Sequence, residues 1–156
     1  MHGLDPRLIE METRQVAVSE LAERMRHGRI VLAPKTERGE GQWDATRQSR
    51  LIESLIVRIP TPSLYFDATD HNRWLAIDGS QRLRAIAQFA VTGELALTGL
   101  EYLSEMEGRS HEELPAPIRR RLLETTIVTH LIRGDTPPEV RDNIAARIRG
   151  AQGIVT

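Results

Sequence analysis

Five consecutive residues carry the clearest chemistry in this chain: Asp78, Gly79, Ser80, Gln81 and Arg82, which follow the apolar run 74–77 and are called the 78–82 turn below. The apolar run predicts a buried strand, and the glycine predicts a sharp entry into a helix. The first turn of a helix presents unpaired N–H groups and partial positive charge, which suits phosphate. A glycine lets a ligand approach without a Cβ in the way, and the next three side chains add donors. The pattern indicates an anion site, although the same residue types also occur where a helix is merely capped.

Two of these side chains are candidates for catalysis. Asp78 is suited to accept from a sugar hydroxyl, to orient a water molecule or Gln81, or to help hold Mg²⁺. Gln81 is suited to position an attacking water, as a glutamine does in GTPases. The sequence shows no Walker loop, no zinc ligand set and no nucleophile–base pair.

A second cluster of cations is predicted on the helix that begins after Asp44. Arg47, Arg50 and Arg58 fall on one face of that helix, which is either a solvated face or one wall of a cleft shared with Arg82. Glu53, on the same helix, is predicted to hold Arg50 or Arg82 by a salt bridge.

The periodicity predicts a small α+β domain with a mixed sheet flanked by helices. Residues 1–15 are polar and predict a flexible arm, and residues 16–156 predict a single domain. Within the domain we expect a hairpin with its turn at residues 67–72. We also expect helices over 19–27, 44–58, 79–92, 115–123 and 139–149, and strands over 16–18, 30–32, 64–66, 73–78 and 126–132.

The composition sets outer limits on function. The 156 residues carry a net charge of −1, so no overall field draws the chain to nucleic acid or to an anionic membrane. There are no cysteines, which excludes disulfides and thiolate metal sites and favours a cytoplasmic location. No segment reaches the roughly 20 apolar residues of a membrane span, so we expect no membrane partner.

The motif in its wider setting resembles the domain-of-unknown-function 262 family, the GmrS-like branch of the ParB/sulfiredoxin superfamily. Residues 77–83 resemble the family's Asp-Gly-Gln-Gln-Arg signature, with Ser80 in place of the first glutamine. Residues 48–62 and Trp43 resemble the stretch that precedes the signature, and residues 147–150 resemble a later Arg-Ile-Asn-x-Gly segment, with Arg149 in place of the asparagine. The similarity covers roughly residues 16–153.

The resemblance implies a ParB-like fold and a bound nucleoside triphosphate with Mg²⁺, hydrolysed in many members of the family. Such domains regulate systems that restrict modified DNA, often beside an HNH-type nuclease domain or subunit. By position, the resemblance assigns the 78–82 turn to the nucleotide, with Arg50 and Glu53 lining or bracing the site. It also implies that Arg38 contributes from the segment after Pro34, and Arg147 from the last helix.

Three functions remain open at this point. The first is a nucleotide-binding regulatory domain of a restriction or phage-defence system, which either hydrolyses the NTP or only binds it. The second is a module without catalysis, which uses nucleotide as a switch or binds DNA through Arg47, Arg50 and Arg58. A direct nuclease comes last, because the sequence shows no metal-ligand or nucleophile set.

Overall fold

The computed structural model describes residues 6–33 and 42–155, with side chains described as far as residue 150. A 3₁₀ turn, Pro6–Leu8, comes first, and a second one lies at Ser104–Met106. The strands are β1 (Glu10–Ala17), β2 (Ile30–Val31), β3 (Leu64–Asp70), β4 (Arg73–Asp78) and β5 (Thr126–Arg133). The helices are α1 (Val18–Arg26), α2 (Ala45–Val57), α3 (Ser80–Ala90), α4 (Ala116–Glu124) and α5 (Pro138–Val155).

The strands form one five-stranded sheet in the order β1-β5-β3-β4-β2. The pairs β1–β5 and β3–β4 are antiparallel, whereas β3–β5 and β2–β4 are parallel. The predicted α+β architecture with a mixed sheet flanked by helices is therefore confirmed. In this order the end of β4 lies beside the start of β3, so the 78–82 turn is at the same edge of the sheet as the linker that leads into β3.

The two faces of the sheet are covered differently because side chains alternate along each strand. On one face Leu64, Phe66 and Trp74 join a large apolar core with α1, α2, α3 and α4. On the other face Ile77 and Ile132 pack against α5 in a smaller cluster. Burial thus fixes the two elements that flank the 78–82 turn. Strand β4 contributes side chains to the clusters on both faces of the sheet, and α3 packs into the larger core.

The predicted flexible arm is wrong for residues 10–15. Together with Val16 and Ala17 they form β1, which pairs with β5 along its whole length from Glu10↔Arg133 to Ala17↔Thr126. The burial pattern shows why this strand is difficult to predict from the sequence. Its side chains are mostly exposed, so polar residues occupy both faces and no apolar–polar alternation marks it. Its order comes from backbone pairing with a strand more than one hundred residues away, which a local pattern does not reveal.

The hairpin between β3 and β4 is confirmed, but the predicted turn at residues 67–72 is too long. The strands extend to Asp70 and resume at Arg73, and only His71 and Asn72 remain as the turn. Turn-forming residue types suggested the longer loop. In the structure Asp67 is instead held in the strand by Arg141 of α5, whose Nη1 lies 3.2 Å from Asp67 Oδ2.

The other predicted helices and strands are present, with shifted ends. Helix α2 begins after Asp44, whose Oδ1 accepts from the N–H of Arg47 at 2.8 Å as an N-cap. It ends at Arg58, which adopts left-handed φ of 66° before Pro60. Helix α5 extends to Val155, beyond the predicted end at Arg149.

Candidate functional site

The 78–82 turn joins the last residue of β4 directly to the first turn of α3. Gly79 makes this connection with φ of +103°, a conformation that residues with a Cβ rarely adopt. A Cβ at this position would also collide with the side chain of Leu64. The prediction that Gly79 leaves room for a ligand is therefore wrong, because the Leu64 side chain fills the space where a Cβ would stand. A glycine is required at this position by the turn and by core packing.

Arg82 is buried and already has partners within the protein. Its guanidinium donates to the carbonyl oxygen of Pro62 and, at 3.1 Å, to that of Ser63. It also lies 3.5 Å from Asp78 Oδ2. Burial lowers the pKa of Arg82, while the negative charge of Asp78 acts in the opposite direction. Arg82 thus fastens the linker before β3 to the start of α3, a role that the sequence did not suggest.

Ser80 and Gln81 hold the two described ends of the segment that separates β2 from α2. Ser80 Oγ accepts from the N–H of Ala33 at 3.0 Å, and Gln81 Oε1 accepts from the N–H of Trp43 at 3.3 Å. Arg84 adds a bond from its Nη2 to the carbonyl of Ala33 at 3.0 Å. The first turns of α3 therefore position the residues on both sides of segment 34–41. Arg38 belongs to that segment and lies outside the described residues.

Within the described residues, the backbone N–H groups of this first turn have no hydrogen-bond acceptor. The first helical bond runs from Leu83 N to Gly79 O at 2.9 Å, so the N–H groups of residues 80–82 precede the ladder. Gly79 has no side chain to cap them, in contrast to Asp44 at the start of α2. Among the described residues no side chain accepts from these three groups. A helix start of this kind favours an anion.

An open pocket of about 330 Å³ lies between α2 and the linker that Arg82 holds. We call it the α2–α3 pocket. Its lining includes Trp43, Arg47, Arg50, Ser54, Thr61 and Arg82. The structure thus brings Arg47, Arg50 and Arg82 to one cleft. Arg47 stacks over the Trp43 ring with its guanidinium carbon 4.5 Å from the ring centroid.

Arg50 is only partly engaged by neighbouring groups. Its Nε donates to the carbonyl of Gly99 at 3.0 Å, and its Nη1 lies 3.3 Å from Glu101 Oε1. Both side chains of this ion pair are about half exposed, at 53% each, so water screens the pair. Arg50 therefore remains able to exchange Glu101 for an anionic ligand in the pocket.

The predicted salt bridge from Glu53 to Arg50 or Arg82 is wrong. Glu53 is 3% exposed, and its carboxylate accepts three backbone N–H bonds from Glu101, Tyr102 and Leu103, at 3.1, 2.6 and 2.8 Å. A buried carboxylate needs strong donors, and three converging amides supply them. Glu53 consequently fixes part of the 98–103 segment (residues 98–103), whose Gly99 and Glu101 contact Arg50.

The whole 98–103 segment is held in the same manner. Ser49 Oγ accepts from Thr98 N at 3.0 Å, and the carboxylate of Glu107 accepts from Gly99 N and Leu100 N at 2.8 and 3.2 Å. With the three bonds to Glu53, six consecutive amides have side-chain acceptors. The helical spacing of Ser49 and Glu53 on α2 was the only signal in the sequence that could have suggested it.

With this geometry in place, the chain can be compared with known proteins. Residues 18–151 match the family described as GmrSD restriction endonuclease, N-terminal domain. The chain belongs to this family. Comparison with curated proteins and with solved structures gives no significant match.

The matched range of the GmrSD N-terminal domain includes both Arg50 and Arg147, but the fold separates them. Arg147 is exposed on α5, on the opposite face of the sheet from α2, and its Nε donates to Asn143 Oδ1 at 3.1 Å. The expectation that Arg147 joins the site from the last helix is therefore not met in this structure. Burial of Ile77 and Ile132 determines which side of the sheet α5 occupies.

The predicted grouping of Arg58 with Arg47 and Arg50 is also wrong. Arg58 is the left-handed C-cap of α2, and its Nε donates to Thr125 Oγ1 at 3.3 Å. It lines a different pocket, of about 290 Å³, together with residues 124–128. Helix α2 ends at Val57, so Arg58 does not continue the helical face that carries Arg47.

The described part of the chain lacks two further features. No group of three or more His, Asp and Glu side chains in residues 6–33 and 42–155 is arranged to hold a metal ion. Over those same ranges, no helix has the length and apolar character needed to cross a membrane.

Proposed function

We propose that this GmrSD N-terminal domain binds a nucleoside triphosphate at the α2–α3 pocket and the adjoining 78–82 turn, and regulates a restriction system by doing so. One observation carries the proposal. The start of α3 leaves its first N–H groups without side-chain acceptors among the described residues, and Arg82 of that same first turn lines the pocket together with Arg47 and Arg50. A pocket of about 330 Å³ is within the usual range for small ligands.

Exposed and buried residues of the site have different roles in this proposal. Arg47 and Arg50 are the exposed cations and contact the phosphates, while the backbone N–H groups of residues 80–82 donate to a further phosphate oxygen. Trp43 offers a ring for base stacking once Arg47 turns to a phosphate. Arg82 and Glu53 act indirectly, because their partners are backbone groups that shape the site.

Hydrolysis is the further step of the proposal. Asp78 at the end of β4 is the carboxylate of the turn, and it would help to hold a Mg²⁺ ion bound to the triphosphate; such an ion would supply charge neutralisation at the phosphates. Gln81 accepts a bond from the N–H of Trp43, and in this proposal its amide orients the attacking water molecule. A module that binds nucleotide without hydrolysis, as a switch, is the alternative.

The binding proposal is tested by thermal unfolding with each of the four ribonucleoside triphosphates and Mg²⁺. A ligand at about 100 times its Kd stabilises the fold by about 2.7 kcal/mol, which raises Tm by several degrees. The Arg47→Ala/Arg50→Ala variant is expected to lose this shift, because each charge-assisted bond contributes about 1.5–3 kcal/mol. Arg120→Ala, which removes an exposed arginine on α4, is the matched control and keeps the shift.

The absence of a shift for all four nucleotides at millimolar concentration would contradict the proposal. If binding is found, phosphate release from the wild type, Gln81→Ala and Asp78→Ala separates a hydrolase from a switch. Plasmid cleavage by the domain alone would favour a nuclease instead. The name of the family further supports the proposal that the domain acts with a nuclease, of the HNH type in our hypothesis, and co-purification with such a subunit tests it.

A further inference from the structure

Strand β1 forms one edge of the sheet and presents an unusually regular edge to solvent. It pairs with β5 over eight residues without a register shift, and among the described residues no strand pairs with its other side. The run EMETRQVA contains no proline, glycine or lysine, three residue types that commonly interrupt or protect such edges. β1 therefore offers a long row of backbone groups for a further strand.

Apolar side chains are exposed at the start of this edge. Leu8, Ile9 and Met11 are 44%, 37% and 45% exposed, although they lie next to one another in the chain. These residues and all of β1 precede the range 18–151 that matches the family, so the edge is a feature of this chain outside the matched domain. Exposed apolar residues beside an open strand indicate an interaction surface.

We propose that β1 pairs antiparallel with β1 of a second copy of this chain, across a two-fold axis at Thr13, and joins two five-stranded sheets into one. A two-fold axis through an edge strand must pass through a residue position. With the axis at a residue, the numbers of two paired residues differ by an even number. Only then do both side chains of a pair lie on the same face of the sheet and both backbones point across the interface.

The charges along β1 select the register. An axis at Thr13 places Glu12 opposite Arg14 of the second copy, and by symmetry Arg14 opposite its Glu12. An axis at Met11 places Glu10 opposite Glu12, and axes at Glu12 or Arg14 place each of these residues opposite itself. The Thr13 register thus pairs opposite charges twice and like charges nowhere.

The same register covers the exposed apolar residues. It places Met11 opposite Gln15 of the second copy and Ile9, just before β1, opposite Ala17, so each exposed apolar side chain gains a cross-strand neighbour that covers part of it. A second copy is consequently a better occupant than a strand without this alternation, because one register satisfies the backbone, the charges and the apolar residues together.

Each charged residue also has a partner within its own chain, and this allows a clean test. Glu12 Oε1 lies 2.8 Å from Arg133 Nε, and Arg14 Nη2 lies 3.1 Å from Glu20 Oε1. The double variant Glu12→Arg/Arg14→Glu destroys both of these contacts but restores opposite charges across the proposed interface. A purely intramolecular role predicts that the double variant behaves worse than either single one.

The first experiment is sedimentation equilibrium of the full chain over a range of concentrations. We expect a dimer for the wild type, a Kd raised about tenfold by Glu12→Arg or by Arg14→Glu, and recovery in the double variant. Thermal unfolding verifies that each variant is folded. A monomer at every concentration would overturn the proposal, and a double variant as weak as the single ones would overturn the register.

The second experiment uses the absence of cysteine from the chain. Thr13→Cys places one thiol per copy directly opposite its counterpart, so mild oxidation should produce a crosslinked dimer on a denaturing gel. Asn72→Cys places a single exposed thiol in the β3–β4 turn and serves as the control that should remain monomeric. Equal crosslinking of the two variants, or none for Thr13→Cys, would contradict pairing at Thr13.

Discussion

The start of α3 and the 98–103 segment both gather consecutive backbone N–H groups, yet they differ in what accepts from them. In the 98–103 segment six successive amides bond to Ser49, Glu53 and Glu107, so the protein supplies its own anions. At the start of α3 the first N–H groups have no side-chain acceptor among the described residues, and exposed arginines stand nearby. The amides of the 98–103 segment, the closed region, are occupied by a hydroxyl and two carboxylates of the protein, whereas those at the start of α3, the open region, are the ones that we propose to bind an external anion.

The largest effect in this comparison is expected from Glu53→Ala. Removal of the buried carboxylate leaves the N–H groups of Glu101, Tyr102 and Leu103 without acceptors, which should cost about 3–5 kcal/mol. Urea unfolding measures this loss. Glu53→Gln retains one acceptor oxygen and serves as the control, with a smaller loss. A change below about 1 kcal/mol for the alanine variant would show that the closed region does not depend on this carboxylate.

A smaller effect is expected from Gly79→Ala at the open region. The added Cβ meets the Leu64 side chain in addition to the positive φ, so the expected loss is about 2–4 kcal/mol. Gly28→Ala is the matched control, because Gly28 has φ of +69° with open space around it and should lose only about 1–2 kcal/mol. Equal losses in the two unfolding curves would mean that Leu64 does not restrict position 79.

The smallest effect is the pH dependence due to Glu107 in the closed region. Its bonds to the N–H groups of Gly99 and Leu100 lower the pKa of this carboxyl from its ordinary value. A lowered folded-state pKa gives stability that is present above the ordinary value and is lost as pH falls through the folded-state pKa. The difference in urea midpoint between wild type and Glu107→Gln should therefore be constant near neutral pH and shrink in acid below about 4.5. A difference independent of pH would contradict this.

The sequence predicted the elements whose signals are local. Asp44 as a cap, the apolar stripe of α2 and the glycine after β4 each depend on near neighbours, and each is found in the structure. Residues 10–15 of strand β1 were missed because their order comes from pairing with β5, a contact across more than one hundred residues. The α+β class could be predicted, while the position of the edge strand could not.

The candidate site was predictable to a similar extent. The structure places Arg50 and Arg82 at one pocket as the sequence suggested, but the partners of Glu53 and Arg82 are backbone groups. No residue pattern indicates which backbone carbonyl or amide will bond to a buried charged side chain. The choice of partner depends on the path of the linker after α2 and on the path of the 98–103 segment. Arg147 was misplaced for a related reason, since the face of the sheet that α5 covers is decided by packing.

The most direct test of the contrast is nuclear magnetic resonance of the ¹⁵N-labelled chain during titration with a nucleoside triphosphate and Mg²⁺. The account predicts that the backbone amide signals of Ser80, Gln81 and Arg82 shift with saturation. The signals of Glu101, Tyr102 and Leu103 should remain near their original positions, because Glu53 already occupies those amides. Unchanged signals at residues 80–82, with shifts elsewhere or nowhere, would contradict the claim that the start of α3 is the open anion site.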